Sequence, residues 1–402
     1  MSFQDLAALL LPADADGTIC EAGSDWGLDP AALTTGRASV WGREPTWTPA
    51  GGELLRYGAR RERALARLRA RPPGGLSVVG VHRWSYDFVR PRRLPRTLLR
   101  LRSGLLVELT SDPALPRVID RVASAAGLTG RVDRPHFGSG GQISACGRLA
   151  SGAPVVLRVA PAGSPVEPSH AATALARLEP FSLPEVPRPL ASGRTATTVW
   201  STETRLPGHP APSITPALVS AVADFCVRLP RDPSAPSAFA SDIERLIDRL
   251  PRFRTALRDL EARAAPAIAR LPSVFRHGDL WRGNVLVRDG ELTGVVDWDA
   301  WHPAGVPGTD LLHFVASTRA FAARRSFGQL MGERPWEDPL FTAAATGYWS
   351  RLGVTPDAHT LEAVGVAWWT TQTMANLQRH PYAAASGRWL ETSVESLLGA
   401  AR

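Results

Sequence analysis

The sequence predicts an α+β protein built in two lobes, a small β-rich one and then a mainly helical one, preceded by a small α/β accessory domain. Three observations carry this expectation. Residues 130–205 alternate short apolar runs with glycine turns, the mark of strands. From Ile214 onward apolar residues recur three and four apart, the mark of helices. One stretch, Phe275 to Asp299, FRHGDLWRGNVLVRDGELTGVVDWD, breaks that helical pattern with a strand, a loop and two further strands. A chain of 402 residues is also long for a single hydrophobic core.

Residues 1–128 are read as the accessory domain. Up to Glu53 there are eight Asp and Glu against two Arg, whereas Arg56 to Arg102 holds fourteen Arg against Glu62 and Asp87. Arg56–Arg71 reads as a helix stopped by Pro72-Pro73-Gly74-Gly75. Leu76–Val81 and Leu105–Thr110 read as strands, and Pro116–Ala126 as a helix ending at Gly127. The segment LRARPPGGLSVVGV resembles a helix-PGG-strand unit of some methyltransferase sheets, but no glycine-rich cofactor loop precedes it. The arginine belt from Arg90 to Arg102 suits an anion, RNA or an acidic membrane surface. No aromatics interleave with it as on a stacking platform, so a solvated face is expected and nucleic acid is not expected as a partner.

Residues 129–205 form the expected β-rich lobe. The glycine turn Phe137–Gly141 leads into a strand from Ile143, a Ser151-Gly152 turn and the strand Val155–Ala160. A helix over Pro168–Leu178 follows, then two strands about Gly193, the second being Thr197–Glu203. The Pro- and Gly-rich segment 205–216 reads as a linker. Residues 206–402 form the helical lobe, with helices over Ile214–Leu229, Phe239–Leu250, Phe253–Leu271, Thr309–Arg325, Pro339–Leu352, His359–Gln378 and Ala385–Leu398. Trp349, Trp368 and Trp369 are expected in its core.

Composition narrows the class. Apolar content of 44% and charged content of 21% describe an ordinary globular chain, and no run of 18 apolar residues offers a membrane span. All 46 basic residues are arginine, giving a net charge of +8. Cys20, Cys146 and Cys226 have neither metal-ligand nor redox spacing, and the N-terminus lacks the positive flank of a signal peptide. A cytoplasmic protein with reduced thiols is expected.

The chemistry lies in Asp279-Leu-Trp-Arg-Gly-Asn284 and Asp297. An aspartate that can take a hydroxyl proton, an asparagine five residues on and a second carboxylate form the set used in metal-assisted phosphoryl transfer. The Asp289-Gly290 turn folds the intervening strands into a hairpin, delivering Asp297 opposite Asn284. Two oxygen donors of this kind suit magnesium, which completes its shell with phosphate oxygens and water. Singly, each residue reads as a cap, a turn or a strand end; only the joint pattern points to function.

The residues His277-Gly278-Asp279-Leu280-Trp281, Gly283-Asn284-Val285-Leu286-Val287 and Val295-Val296-Asp297-Trp298-Asp299 resemble the aminoglycoside phosphotransferase (APH) and choline kinase-like family, which includes fructosamine kinases. The resemblance covers about residues 130–402 and implies a bilobal protein-kinase-like fold. It implies Asp279 as catalytic base, Asn284 and Asp297 as magnesium ligands, and His277 and Asp310 as supports of the catalytic loop. Asp299 is a candidate supporting acid behind the metal ligands, with simple solvent exposure as the other reading. Gly138, Ser139, Gly140 and Gly141 would lie over nucleotide phosphates, offering backbone N–H groups. Arg158 stands where kinases carry a phosphate-holding lysine. The glutamate that usually faces that lysine would fall near Ala171, and Glu167 is the nearest acid. Glu203 and Thr204 occupy the expected nucleotide hinge. His302 and His313 lack partner spacing and are assigned no role.

The resulting expectation is an ATP-dependent, or GTP-dependent, magnesium phosphotransferase. It would move the γ-phosphate to a hydroxyl of an antibiotic, a sugar or a biosynthetic intermediate. A Ser/Thr kinase acting on a peptide in natural-product maturation is one alternative, and a catalytically weakened nucleotide-binding or interaction protein is another. Polycationic acceptors fit less well, because residues 206–402 carry 20 acids and 20 arginines. Sequence assigns no oligomeric state.

Overall fold

Turn chemistry and apolar alternation build the elements largely where the sequence puts them. The computed structural model describes residues 38–41, 76–82, 104–110, 118–130, 132–137, 142–164, 167–195, 198–323, 325–379 and 381–399. The expected helix 56–71, the arginine belt 90–102 and the glycine turn Gly138, Ser139, Gly140 and Gly141 lie outside the described residues. The chain divides into two units, Met1–Ser169 with Leu190–Glu203, and His170–Pro189 with Thr204–Arg402.

In the first unit, β1 (Ala38–Trp41), β2 (Leu76–His82) and β3 (Gly104–Thr110) form an antiparallel sheet in the order β1-β3-β2. Helix α1 (Val118–Ala125) follows, and its Asp120 carboxylate accepts the N–H of Val132. A five-stranded sheet then runs β4-β5-β6-β8-β7, from β4 (Asp133–Phe137), β5 (Ile143–Arg148), β6 (Pro154–Pro161), β7 (Pro189–Arg194) and β8 (Thr198–Thr204). Ile143, Ala145, Leu157 and Val159 are buried along it. Gly193 lies inside β7 rather than at the turn expected there. A Cβ at this position would meet the Trp200 ring at 2.5 Å, so glycine is required by packing, and β7 runs on to Arg194.

In the second unit, α2 (Pro168–Leu178) buries Ala171, Ala174, Leu175 and Leu178 in the main core, although sequence groups it with the β-rich lobe. The segment expected as a linker supplies a short strand, β9 (His209–Pro210), which pairs with β12 (Val285–Arg288). Helix α3 (Pro216–Arg228) starts where Thr215 Oγ1 accepts the Leu218 N–H and proline fills the first turn. Strand β10 (Arg231–Asp232), α4 (Phe239–Arg249) and α5 (Arg254–Ile268) follow, and β10 pairs with β11 (Ser273–Arg276).

Strands β12 and β13 (Glu291–Val295) form the predicted hairpin, and β14 (His302–Gly305) returns beside β11. Helix α6 (Thr309–Ala323), α7 (Phe327–Gly332), α8 (Pro339–Leu352) and α9 (Ala358–Arg379) complete the lobe. The single helix expected from Ala385 is instead a run of short 3-10, α and π turns over Pro381–Leu398. Trp298, Trp368 and Trp369 are fully buried, and Trp349 nearly so. Among the described residues no helix is long and apolar enough to cross a membrane.

Candidate functional site

Asp289 and Gly290 both adopt left-handed backbone, φ 55° and 84°, as a two-residue turn matched to strand twist demands. They close β12 onto β13 with Arg288 opposite Glu291. The register then shifts by one residue, so that Leu286 faces Gly294 and Val285 faces Val295. A one-residue shift exchanges the two faces of a strand, and here it brings Asn284 opposite Val296. The Val296 N–H donates to the Asn284 carbonyl at 2.9 Å. Asp297 follows in left-handed backbone, φ 70° and ψ 60°, a conformation uncommon outside glycine and enriched at functional sites.

The other side of the site is the turn after β11. Gly278 has φ 83°, and a Cβ there would lie 2.1 Å from the Ala300 carbonyl oxygen, so only glycine fits. The Asp310 carboxylate, in the first turn of α6, accepts the N–H of His277 at 2.7 Å and of Gly278 at 2.8 Å. Gln372 of α9 donates to the Gly278 carbonyl at 2.8 Å, closing the turn from below.

His277 is fully buried and ties the two halves together. Its Nδ1 accepts the Asp279 N–H at 3.2 Å, which leaves the proton on Nε2 to be donated to the Val296 carbonyl at 3.0 Å. Asn284 Nδ2 donates to the Asp279 carbonyl at 2.9 Å. With its amide nitrogen so used, Asn284 keeps Oδ1 as an oxygen donor. Asp279, Asn284 and Asp297 are thus joined through one backbone network, and Asp279 and Asp297 are half-buried. Asp299 is also half-buried.

Two features of this site escape the sequence reading. His313, assigned no role there, has Nε2 3.5 Å from Asp279 Oδ1. It stands one helical turn after Asp310, and the (i, i+3) spacing that puts both on one face of α6 was the available signal. Behind β11, the buried Arg276 pairs with Asp242 at 3.3 Å and donates to Thr371 Oγ1 at 2.7 Å. The buried polar run Thr370–Thr373 of α9 is accounted for in part by such contacts. Beside Asp310, burial pushes the Cys226 thiol well above its ordinary pKa, with the Asp310 charge adding to it. Cys226 is therefore an inert thiol rather than a nucleophile.

In the first unit, Arg158 of β6 is buried and faces Glu203 of the neighbouring β8, with Nη2 to Oε1 at 3.3 Å and Nε to Oε2 at 3.4 Å. Glu167 makes an ion pair with Arg194 at 3.2 Å. Strand adjacency, and not the nearness in sequence that points to Glu167, supplies Arg158 with the hinge candidate Glu203, 45 residues on. Thr204, in the second unit, has its N–H donated to the Arg188 carbonyl and its Oγ1 accepting the Arg188 N–H, both at 2.9 Å.

The two oxygen donors Asn284 and Asp297 fit magnesium, a cation that needs few protein ligands when phosphate oxygens complete the shell. Among the described residues no cluster of three or more His, Cys, Asp or Glu forms a ready-made protein cage for a metal.

The model of the phosphotransferase enzyme family (APH) matches residues 139–340, just over half of the chain. No curated protein matches it. Among solved structures, the aminoglycoside phosphotransferase APH(3'')-Id from Streptomyces rimosus is similar at 19% identity, with 62% of this chain and 95% of that one covered and a TM-score of 0.41. The macrolide 2'-phosphotransferase MphH from Brachybacterium faecium is similar at 18% identity, with 69% and 96% covered and a TM-score of 0.45.

Proposed function

The chain belongs to the phosphotransferase enzyme family (APH), and from that premise we propose that it transfers the γ-phosphate of ATP, or of GTP, to a hydroxyl of a small molecule. The observation that carries this reading is the Asn284 Nδ2 to Asp279 carbonyl hydrogen bond at 2.9 Å. It locks the proposed base and a metal donor into one loop beside Asp297.

In the proposed reaction the acceptor oxygen forms a bond to the γ-phosphorus while the bond from that phosphorus to the bridging oxygen breaks. The nucleoside diphosphate leaves with the bond pair, and the hydroxyl proton passes to the Asp279 carboxylate. Asn284 and Asp297 would hold magnesium. When bound, that ion supplies neutralisation of charge on the phosphate oxygens. Asp310, His277 and Gln372 keep the loop from shifting as the proton moves, because each bonds to its backbone.

Two further features support the reading. Glu203 fixes the Arg158 guanidinium, which favours an active enzyme over a weakened binding protein, since the missing acid near Ala171 has a counterpart on the next strand. Trp281 follows Asp279 by two residues, and its ring lies 5.3 Å from that of Phe321, a side chain 46% exposed. An exposed aromatic against Trp281 would suit an acceptor with an apolar face, such as one side of a sugar ring.

The test is transfer of labelled γ-phosphate from ATP or GTP to pools of hydroxylated small molecules, with and without magnesium. Magnesium-dependent labelling of an acceptor supports the proposal. Absence of nucleotide turnover with every pool and both nucleotides would count against it.

A further inference from the structure

An indole nitrogen donates a hydrogen bond and never accepts one. Trp368 Nε1 lies 3.2 Å from His313 Nδ1, with both side chains buried. His313 Nδ1 must therefore present its lone pair, and in the neutral ring the proton sits on Nε2. That nitrogen is the one 3.5 Å from Asp279 Oδ1. The imidazole is caged as well as oriented. Phe327 stands edge-on to it at 5.5 Å and edge-on to Trp368 at 5.3 Å. The same helix, α6, carries Asp310 one turn earlier on the backbone of His277 and Gly278, so side chain and loop are referenced to one rigid element.

We infer that His313 is a positioning residue. Its Nε2–H holds one oxygen of the Asp279 carboxylate and turns the other toward the acceptor hydroxyl, and Trp368 fixes the tautomer that makes this possible. The 3.5 Å separation exceeds a tight hydrogen bond, as catalytic contacts often do before substrate is bound. The role rests on Asp279 being the base. A carboxylate free to rotate would present either oxygen with no fixed lone pair, and a misplacement of this kind costs rate rather than nucleotide binding.

The decisive experiment joins a spectroscopic and a kinetic readout on the full chain. NMR of protein carrying isotope-labelled histidine is expected to show His313 as the Nε2–H tautomer, and Trp368→Phe is expected to release that preference. His313→Ala is expected to lower kcat roughly 10- to 100-fold with the nucleotide KM unchanged. His313→Gln, whose amide N–H reaches the Nε2 position, is expected to recover part of that loss. An Nδ1–H tautomer in the unaltered protein would overturn the inference. So would a kcat within about twofold of the parent in His313→Ala. Should His313→Ala fail to fold, the tautomer and the Gln variant decide. Asp279→Asn run alongside separates the two levels: its loss of turnover with His313→Ala unimpaired overturns only the role of His313. Full turnover in Asp279→Asn overturns the base assignment and the role of His313 together.

Discussion

Glu203 Oε1 lies 3.3 Å from Arg158 Nη2 on the neighbouring strand, and both side chains are buried. The pair holds a planar guanidinium in one orientation, where a lysine would present a rotating point charge. Replacing Glu203 by Ala strips a buried cation of this carboxylate. A loss of about 3 kcal/mol is expected. Urea unfolding checks it through a lower midpoint at unchanged slope.

Asp310 accepts two backbone N–H groups with its two oxygens. Asp310→Asn sets an amide N–H2 against one of those donors. The turn that carries the proposed base then shifts while the helix stays, and kcat is expected to fall on the order of 100-fold. Steady-state kinetics beside a thermal melt distinguishes this from general unfolding.

Arg276, on the strand that leads into the turn at Gly278, pairs with Asp242 of α4, and Arg276 Nε has no partner among the described residues. Asp242→Ala leaves that guanidinium short of its counter-charge in the core. A destabilisation of about 3–5 kcal/mol is expected, read by denaturant titration.

Burial, with the Arg276 charge adding to it, lowers the pKa of His302 below the ordinary histidine value, and burial alone lowers that of His170. The unfolded chain then binds protons more readily than the folded one. Stability from these groups is complete above their unfolded value of about 6.5 and falls as the pH drops from there toward their folded values. His302→Asn keeps an acceptor for the Ala304 N–H, which His302 Nδ1 now holds at 3.1 Å, and removes the titration. Urea midpoints are expected to drop on acidification from about pH 7.5 to about pH 5.5, and to drop less in His302→Asn.

Legibility followed the range of the physics. The hairpin at Asp289-Gly290 was readable because its turn needs positive φ at both central residues, a demand met within two positions. Helix α8 was read to the residue because Asp338, Pro339 and Gly353 mark its ends by local capping. Asn284 and Asp297 flank that hairpin, and Asp279 stands in the turn between β11 and β12, so all three lie within one short stretch of sequence. What escaped was non-local. His313 and Gln372 reach Asp279 and Gly278 from helices 34 and 94 residues away, and periodicity does not say which face of a helix meets which loop. Gly193 was misplaced for a related reason, because its lack of a side chain answers to the ring of Trp200 and not to a turn.

The central claim is that Asp279 accepts the proton of the acceptor hydroxyl. Its most direct test is magnesium-dependent transfer of labelled γ-phosphate by Asp279→Asn, measured beside nucleotide binding by the same protein. Turnover is expected to fall on the order of a hundred- to ten-thousand-fold with nucleotide binding retained. Turnover equal to that of the unaltered chain would contradict the account.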